Sequence, residues 1–230
     1  MTENNVEEGQ EALGKAWARG CEFLGSEYAI LGGAMSWISD RNLVAAISNA
    51  GGFGVIACGA MTTDLLDAEI KGTQALTQKP FGVNLITMHP DLNELVDICL
   101  ENGVGHVVLA GGLPPKDAIG RLKSGGVKVI CFTPTLALGK KLIRSGADAL
   151  VIEGMEAGGH IGPVSTSVLA QEILDQGAIE LQNAIFSTHT AGTQYNLSYS
   201  AEDKFWSEIA AAILKQDAIP EGFQNPGERQ

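Results

Sequence analysis

Residues 149–162 read Ala149-Leu-Val-Ile-Glu153-Gly-Met-Glu-Ala-Gly-Gly-His160-Ile-Gly162, an apolar run followed by a glycine-rich loop. The run Ala149–Ile152 is apolar without alternation, which is typical of a strand covered on both faces in a parallel sheet. The loop after it then lies at the carboxyl end of the strand, where α/β folds place their ligand sites. This stretch therefore predicts a parallel α/β fold with a ligand site at its strand ends.

Two interpretations of the loop are open from its residues alone. Its glycines let a ligand approach the backbone closely because no Cβ intrudes, and His160 has the side chain that exchanges a proton near neutral pH. A tight turn with a hydrogen-bonded structural histidine gives the same pattern. Glu153, Glu156 and His160 cannot all be buried without partners, which favours a functional site over a plain turn.

The same strand–helix unit recurs along the chain before this loop. The predicted strands begin 21 to 27 residues apart, and each interval holds one helical pattern. The strands are Tyr28–Leu31, Gly54–Ala57, Phe81–Leu85, His106–Ala110, Lys128–Phe132 and Ala149–Ile152. The helices are Asp40–Asn49, Thr63–Leu76, Leu92–Asn102, Lys116–Ser124 and Leu136–Ser145. Asp91 is the expected N-cap of the helix that begins at Leu92.

Regular strand–helix alternation predicts an α/β fold with a parallel sheet, and six units in a row favour a TIM (β/α)8-type barrel. An open doubly wound sheet is the alternative. We expect barrel units one to six, with the site, in residues 24–174, after an amino-terminal segment of residues 1–23. The barrel is expected to be incomplete or irregular after the sixth strand, because residues 175–230 offer only a short strand, Ala184–Ser187, and one amphipathic helix, Ala201–Lys215.

Charge and composition exclude several classes of protein. The 230 residues carry 15 basic and 27 acidic side chains, and the net charge of −12 disfavours nucleic acid and anionic membranes as partners. No apolar stretch approaches the roughly 20 residues of a membrane helix, and the acidic amino terminus is unlike an export signal. Cys58, Cys99 and Cys131 lie in or beside apolar runs and are expected to be buried thiols. No metal site is expected, and we predict a cytoplasmic protein.

Small or polar residues follow most of the predicted strands. Gly32–Ser36 come after the first strand, Asn84 lies at the end of the third, Gly111–Pro115 follow the fourth and Thr133–Thr135 the fifth. Asparagine is depleted in strands, so Asn84 is expected to hydrogen-bond a partner or a ligand. Small residues around one mouth of a barrel suit a flat aromatic ligand that lies across it.

These motifs resemble the nitronate monooxygenase (2-nitropropane dioxygenase) family, which includes the flavin-dependent enoyl-acyl-carrier-protein reductase II. The resemblance extends from about Leu24 to about Leu174. It is carried by Gly32-Gly-Ala-Met35, Asn49-Ala-Gly-Gly-Phe-Gly54, Lys79-Pro-Phe-Gly-Val-Asn84, Val108-Leu-Ala-Gly-Gly112, Gly146-Ala-Asp-Ala149 and Glu153-Gly-Met-Glu-Ala-Gly-Gly-His160.

The resemblance implies a TIM barrel that binds FMN at its strand ends. By analogy, the expected flavin contacts are Asn84, the main chain at Gly33, Ala34 and Met35, and the loop positions Glu153, Gly158 and Gly159. His160 is the expected catalytic residue, placed near the flavin ring for proton transfer. In the family, two further strand-end loops bind the flavin phosphate, and from Asp175 onward the sequence contains no counterpart of their motifs.

The resemblance implies oxidation of alkyl nitronates by FMN with O2 as the electron acceptor. Monooxygenases of the family often have glutamine at the position of Glu153, whereas the reductase branch has this same motif. Reduction of an enoyl thioester by NAD(P)H through the same flavin is therefore an alternative. A third reading is a shortened remnant that binds no flavin. The expected partners are a small-molecule substrate with O2 or NAD(P)H, and a homodimer is left open.

Overall fold

The computed structural model describes residues 14–15, 17–158, 161–177 and 185–187 of the chain. The strands are β1 (Leu31–Gly32), β2 (Phe53–Ala57), β3 (Phe81–Ile86), β4 (His106–Ala110), β5 (Lys128–Thr133), β6 (Ala149–Ile152) and β7 (Ile185–Ser187). The helices are α1 (residues 17–24), α2 (Arg41–Asn49), α3 (Thr63–Leu76), α4 (Leu92–Glu101), α5 (Lys116–Ser124), α6 (Leu136–Arg144) and α7 (Thr166–Gly177). None of these helices is both long enough and apolar enough to cross a bilayer.

The strands form a single parallel sheet in the order in which they occur along the chain, from β1 to β7. A doubly wound sheet reverses its strand order at a switch point, and this sheet has no reversal. The six expected strands are therefore the consecutive units of an incomplete TIM barrel. The architecture predicted from the spacing of the apolar runs is confirmed.

The two faces of the sheet have separate apolar cores. Alternate strand residues pack against the helices in a large outer cluster that includes Val83, Leu85 and Val107. The other face forms the barrel interior, with a smaller cluster made of Phe53, Val55, Val108, Ile130, Ala149 and Val151 together with Phe23 and Leu24 of α1. Both faces are covered, which explains why the strands are continuous apolar runs.

The first strand and one helix cap differ from the sequence prediction. Only Leu31 and Gly32 pair with β2, whereas Tyr28–Leu31 had the strand-like sequence. Asp91 makes no capping hydrogen bond, because its backbone (φ −99°, ψ 29°) is not extended as it is at a side-chain cap. Asp40 does cap α2, since its carboxylate accepts hydrogen bonds from the N–H groups of Asn42 (2.9 Å) and Leu43 (3.1 Å).

The fold continues for one unit beyond the sixth strand. Helix α7 was not predicted from the sequence, whereas the short strand expected at Ala184–Ser187 is confirmed by β7. Strand β7 pairs in parallel with β6, with Phe186 opposite Val151. The helix predicted at Ala201–Lys215 lies outside the described residues.

Helix α1 covers the interior near the amino ends of β4 and β5. His106, the first residue of β4, is buried, and its Nε2 lies 2.9 Å from the carbonyl oxygen of Phe23. Lys128, the first residue of β5, donates to the same oxygen and lies over the Phe23 ring. Burial, together with the nearby Lys128 ammonium, lowers the pKa of His106, although the bond to Phe23 and the carboxylate of Asp148 oppose this shift.

This histidine should make stability depend on pH. Between the lowered pKa of His106 and the ordinary value near 6.5, the unfolded chain binds more protons than the folded chain. The free energy of unfolding should therefore fall as the pH drops below about 6.5. Melting curves of the parent and of His106→Gln from about pH 5 to about pH 8 test this. A parent curve as flat in that window as the variant's would contradict it.

Candidate active site

The carboxyl ends of β1 and β3 meet on either side of β2. Asn84 of β3 pairs with Ala57 of β2, and the Ala57 N–H donates to the carbonyl oxygen of Ser39 (3.1 Å). The Ser39 hydroxyl oxygen accepts a hydrogen bond from the N–H of Met35 (3.0 Å). Two of the predicted flavin contacts, the Gly33–Met35 segment and Asn84, thus flank the same strand end.

Asn84 lies on the interior face and is 6% exposed. Its Nδ2 donates to the carbonyl oxygen of Val108 on β4 (3.1 Å). This bond holds the amide against the neighbouring strand of the barrel wall. A primary amide has a second N–H and a carbonyl oxygen, so the side chain retains further hydrogen-bonding capacity for a ligand.

The Gly33–Met35 segment is shaped by its contact with β2. Gly33 has a φ of +124°, and a Cβ there would lie 2.6 Å from the carbonyl oxygen of Val55. Glycine is therefore required by the backbone and by the close approach of the strand. Because the Met35 N–H is already bonded to Ser39, the main-chain groups left for a ligand belong to Gly33 and Ala34.

Glu153 directly follows β6, at the same end of the sheet as this segment. Its N–H donates to the carbonyl oxygen of Thr133 (3.1 Å), and the residue is half-buried. Three strand spacings separate β3 from β6, about 14 Å along the sheet. Gly158 is half-buried in a bend of the same loop. Gly159 and the predicted catalytic residue His160 lie outside the described residues.

The other glycines of this loop serve packing. A Cβ on Gly162 would lie 1.9 Å from the carbonyl oxygen of Glu153, and a Cβ on Gly154 would lie 2.4 Å from the backbone nitrogen of Thr166. Glu156 also has a structural role, because its Oε2 accepts hydrogen bonds from the N–H and the hydroxyl of Thr166 (both 2.7 Å) at the start of α7. The loop is thereby attached to the helix that follows it.

Cys58 lies just after β2 but is not a nucleophile. It is 1% exposed, and burial raises the pKa of its thiol to about 11. Nucleophilic cysteines have a lowered pKa. The expectation of buried thiols at Cys58, Cys99 and Cys131 is confirmed. Across the described ranges, no group of three or more His, Cys, Asp or Glu side chains is placed to hold a metal ion.

Exposed apolar side chains are concentrated around the mouth. Among the described residues, seven of the nine large apolar side chains that are exposed lie in loops after strands: Met35, Trp37, Ile38, Met88, Leu113, Met155 and Ile161. Apolar surface of this kind rimmed by polar groups is characteristic of a binding site. The mouth therefore suits a ligand with substantial apolar area.

Thr87 has an unusual environment that the sequence did not indicate. It follows β3 directly and is 9% exposed. Its hydroxyl has no hydrogen-bond partner, the one buried side-chain oxygen or nitrogen of the described residues in that condition. A strand-end threonine is the available signal in the sequence, and it does not reveal whether the hydroxyl has a partner.

These residues fit the ring portion of a flavin. A buried amide and the close backbone at Gly33 lie at a mouth with an apolar rim. A planar, partly polar heterocycle has matching hydrogen-bonding groups and apolar area. The described residues thus supply contacts for the ring, whereas loops for the phosphate are not among them.

Comparison with known proteins identifies the family. The nitronate monooxygenase family model matches residues 19–102 and 93–190, together 172 of the 230 residues (19 to 190). The chain belongs to the nitronate monooxygenase family. The match continues to residue 190, beyond Leu174, where the sequence motifs ended, and it includes the unit formed by α7 and β7.

Two curated relatives and one solved structure illustrate the range of similarity. A (3aS,4S,5R,7aS)-5-hydroxy-7a-methyl-1-oxo-octahydro-1H-indene-4-carboxyl-CoA dehydrogenase of Mycobacterium tuberculosis is 38% identical, over 67% of this chain and 43% of its own length. A nitronate monooxygenase of Paraburkholderia phytofirmans is 28% identical, over 60% and 48%. FabK of Thermotoga maritima superposes with a TM-score of 0.68 at 39% identity, over 74% of this chain and 53% of that chain. The chain spans about half the length of the curated relatives it matches.

Proposed function

We propose that this chain carries the ring-binding half of an FMN-dependent oxidoreductase site. The observation that carries the proposal is the buried Asn84 amide, which is bonded to the neighbouring strand through the carbonyl oxygen of Val108 and flanks the same end of β2 as the Gly33–Met35 segment. Membership of the nitronate monooxygenase family supports it. The cytoplasmic location and the homodimer stay predictions.

In this proposal the residues position the ring and exclude water. Asn84 and the main chain at Gly33 and Ala34 hydrogen-bond the polar edge of the ring, with Glu153 and Gly158 on the opposite side of the mouth. The apolar rim shields the reacting face from solvent. FMN, when bound, supplies electron transfer between substrate and acceptor.

The first candidate reaction is oxidation of an alkyl nitronate with O2. It is supported by the family model and by the relatives at 28% identity that are named nitronate monooxygenase. A neutral nitroalkane must lose its α-proton before it becomes a nitronate. His160 is the proposed base, because it follows the strand end in a glycine-rich loop and histidine can accept a proton near neutral pH.

The second candidate is reduction of an enoyl thioester by NAD(P)H. One observation favours a thioester substrate: the carboxyl-CoA dehydrogenase and FabK are 38% and 39% identical to this chain, nine points or more above the nitronate monooxygenases at 28–29%. In this reaction His160 would face the thioester carbonyl. The exposed apolar side chains at the mouth suit a large acyl group.

Absorption spectroscopy and two assays decide among these readings. Purified protein should be yellow or should quench the fluorescence of added FMN as the ring is bound. Oxygen consumption with ethyl nitronate then tests the first candidate, and NADH oxidation with crotonyl-CoA tests the second. A colourless protein that leaves the fluorescence of FMN unchanged would refute the proposal. The hypothesis of a shortened remnant that binds no flavin would then take its place.

Replacing Asn84 by alanine should weaken FMN binding by roughly 1–3 kcal/mol, because a buried hydrogen bond to the ring is lost. Fluorescence titration of the parent and the variant measures this. Since the substitution also removes the bond to Val108, a melting curve should accompany the titration. Ser48→Ala is the matched control, because it removes a hydroxyl that donates to the carbonyl oxygen of Pro80 (3.0 Å), away from the mouth. If Ser48→Ala weakens FMN binding as much as Asn84→Ala does, the ring contact is refuted.

A further inference from the structure

Glu69 has its carboxylate on the buried face of α3, the face that also holds Leu66 and Ile70. The residue is 7% exposed, and glutamate is rarely buried unless it is paired. Its Oε1 accepts hydrogen bonds from Nε (3.1 Å) and Nη2 (2.6 Å) of Arg41, and its Oε2 accepts one from the Arg41 N–H (2.8 Å). Gly72 leaves room for this arginine, because a Cβ there would lie 2.7 Å from its Cδ. Both oxygens of the carboxylate are thus bonded to one residue at the start of α2.

These bonds complete the amino terminus of α2. The first N–H groups of a helix have no partner within the helix. Here Asp40 accepts hydrogen bonds from the N–H groups of Asn42 and Leu43, and Glu69 accepts the one from Arg41. Because the last of these acceptors belongs to α3, the start of α2 is fixed against a neighbouring helix and not only by its own N-cap.

Ser39, two residues before α2, connects this helix start to the candidate site. Its carbonyl oxygen accepts a hydrogen bond from the N–H of Ala57 (3.1 Å), and its hydroxyl oxygen accepts one from the N–H of Met35 (3.0 Å). The regular pairing of β1 with β2 ends at Gly32, so the Gly33–Met35 segment that follows is fixed in part by the bonds of Ser39. A shift at the start of α2 is therefore transmitted to this segment.

Stability alone is a weak reason for an ion pair in this position. Taking a carboxylate out of water costs free energy, and an apolar pair of similar volume is often as stable as a buried ion pair or more stable. An apolar pair does not supply a fixed orientation, whereas the planar guanidinium and carboxylate set both a distance and an angle. The specific contribution of the pair is therefore the placement of α2 relative to α3.

We propose that Glu69 and Arg41 form a positioning pair that holds the Gly33–Met35 segment where it contacts the flavin ring. This inference rests on the proposed function and adds to it two residues of the helix layer. They act on the site through Ser39, without contact between either side chain and the cofactor. Supporting residues of this kind keep the groups that bind a ligand in their productive geometry.

Three variants separate a positional role from a structural one. The double variant Arg41→Met/Glu69→Leu replaces the ion pair by apolar side chains, and without ligand it should melt within about 4 °C of the parent. Glu69→Gln removes the charge but keeps an oxygen that can accept the Arg41 N–H. The control is Lys71→Gln, which removes an exposed ion pair with Asp67 (2.7 Å) from the same helix.

Hydrogen exchange reports on the segment without any ligand. The N–H groups of Met35, Ile38 and Ser39 are bonded within the turn that precedes α2. In the double variant they should exchange about tenfold faster than in the parent, because local opening of the turn becomes easier. Lys71→Gln should exchange at the parental rate in this turn.

Titration with FMN gives the second measurement. The Kd should rise about tenfold in the double variant, since a small misplacement of binding groups is costly. The rise should be smaller in Glu69→Gln, and Lys71→Gln should stay within about twofold of the parent. If the double variant does not fold, Glu69→Gln at temperatures well below its melting transition serves for the same comparison.

The outcomes separate this inference from the proposed function. If the parent binds no FMN, the proposed function fails and the positioning role fails with it. If the parent binds FMN and the double variant binds it equally well, the positioning role alone is overturned, whatever the melting temperature or the exchange rates. A weaker FMN affinity with parental exchange would also overturn it, because the loss would then not pass through the Gly33–Met35 segment.

Discussion

Replacing His160 by asparagine is expected to slow the oxidation of neutral nitroethane by about 10²- to 10⁴-fold, the usual effect of removing a general base. Asparagine retains hydrogen-bonding groups but cannot accept the α-proton at neutral pH. With preformed ethyl nitronate the proton is already absent, so the loss of rate should be much smaller. Steady-state oxygen consumption with both forms of the substrate measures the difference.

His89→Asn is the control for this experiment. His89 also follows a strand of the barrel, and its Nδ1 accepts a hydrogen bond from the N–H of Asp91 (3.1 Å), which gives it a local structural role. We expect its substitution to leave both rates within about twofold of the parent, as for a residue outside the chemistry. Equal rates for His160→Asn and the parent on nitroethane would remove His160 from the proposed proton transfer.

Thioester reduction gives an independent test of the same residue. If crotonyl-CoA is reduced by NADH while ethyl nitronate is not oxidised, the chain acts in the manner of an enoyl reductase. In that case the ratio of the rates on nitroethane and ethyl nitronate does not test the role of His160. The pH dependence of thioester reduction would then report whether its ionisation matters, since a general acid must be protonated to act.

Strands β2 to β6 could be predicted because each is a continuous apolar run, the pattern expected of a strand that is covered on both faces. Strand β1 could not be placed in this way. Tyr28–Ile30 have the sequence of a strand and do bond the β2 segment, since the Tyr28 N–H donates to the carbonyl oxygen of Gly51 and the Phe53 N–H donates to that of Ile30 (both 2.9 Å). Regular pairing nevertheless begins only at Leu31, because β2 itself begins at Phe53. The extent of a strand depends on both paired segments, so it cannot be read from the sequence of one of them.

The site was predictable in position and less so in detail. Asn84 was expected to hydrogen-bond something because asparagine is depleted in strands, and its partner proved to be the carbonyl oxygen of Val108. Thr87 carried no such signal, since what distinguishes it is the lack of a partner in three dimensions. The sequence also could not separate glycines that admit a ligand from those, such as Gly154 and Gly162, that admit another part of the chain.

Gly54 is another glycine whose small size admits a part of the chain and not a ligand. Its replacement by alanine has the largest expected effect on stability. It belongs to the Asn49–Gly54 motif that carried the family resemblance, yet it lies inside β2, where α2 crosses the strand. A Cβ on Gly54 would lie 2.4 Å from the carbonyl oxygen and 2.8 Å from the Cα of Val44. Both contacts are with backbone, so a rotamer change cannot relieve them, and the helix must move.

Gly54→Ala should therefore lower the free energy of unfolding by about 3 kcal/mol, at the upper end of the range for overpacked cores. For a domain of this size the loss corresponds to a melting temperature lower by about 6–12 °C. The same substitution at Gly120, exposed in α5 with no atom near its Cβ position, should instead stabilise the helix by about 1 kcal/mol. Thermal melts of the two variants beside the parent make a matched pair.

The displacement of α2 should also reach the candidate site. Ser39, two residues before α2, bonds both Ala57 of β2 and the N–H of Met35. If Gly54→Ala pushes the helix away from the strand, the Gly33–Met35 segment moves with it. We expect FMN affinity to fall even at temperatures where the variant is folded, whereas Gly120→Ala should bind FMN as the parent does. A Gly54→Ala variant with parental stability would show that α2 and β2 do not pack as closely as the Val44 contact requires.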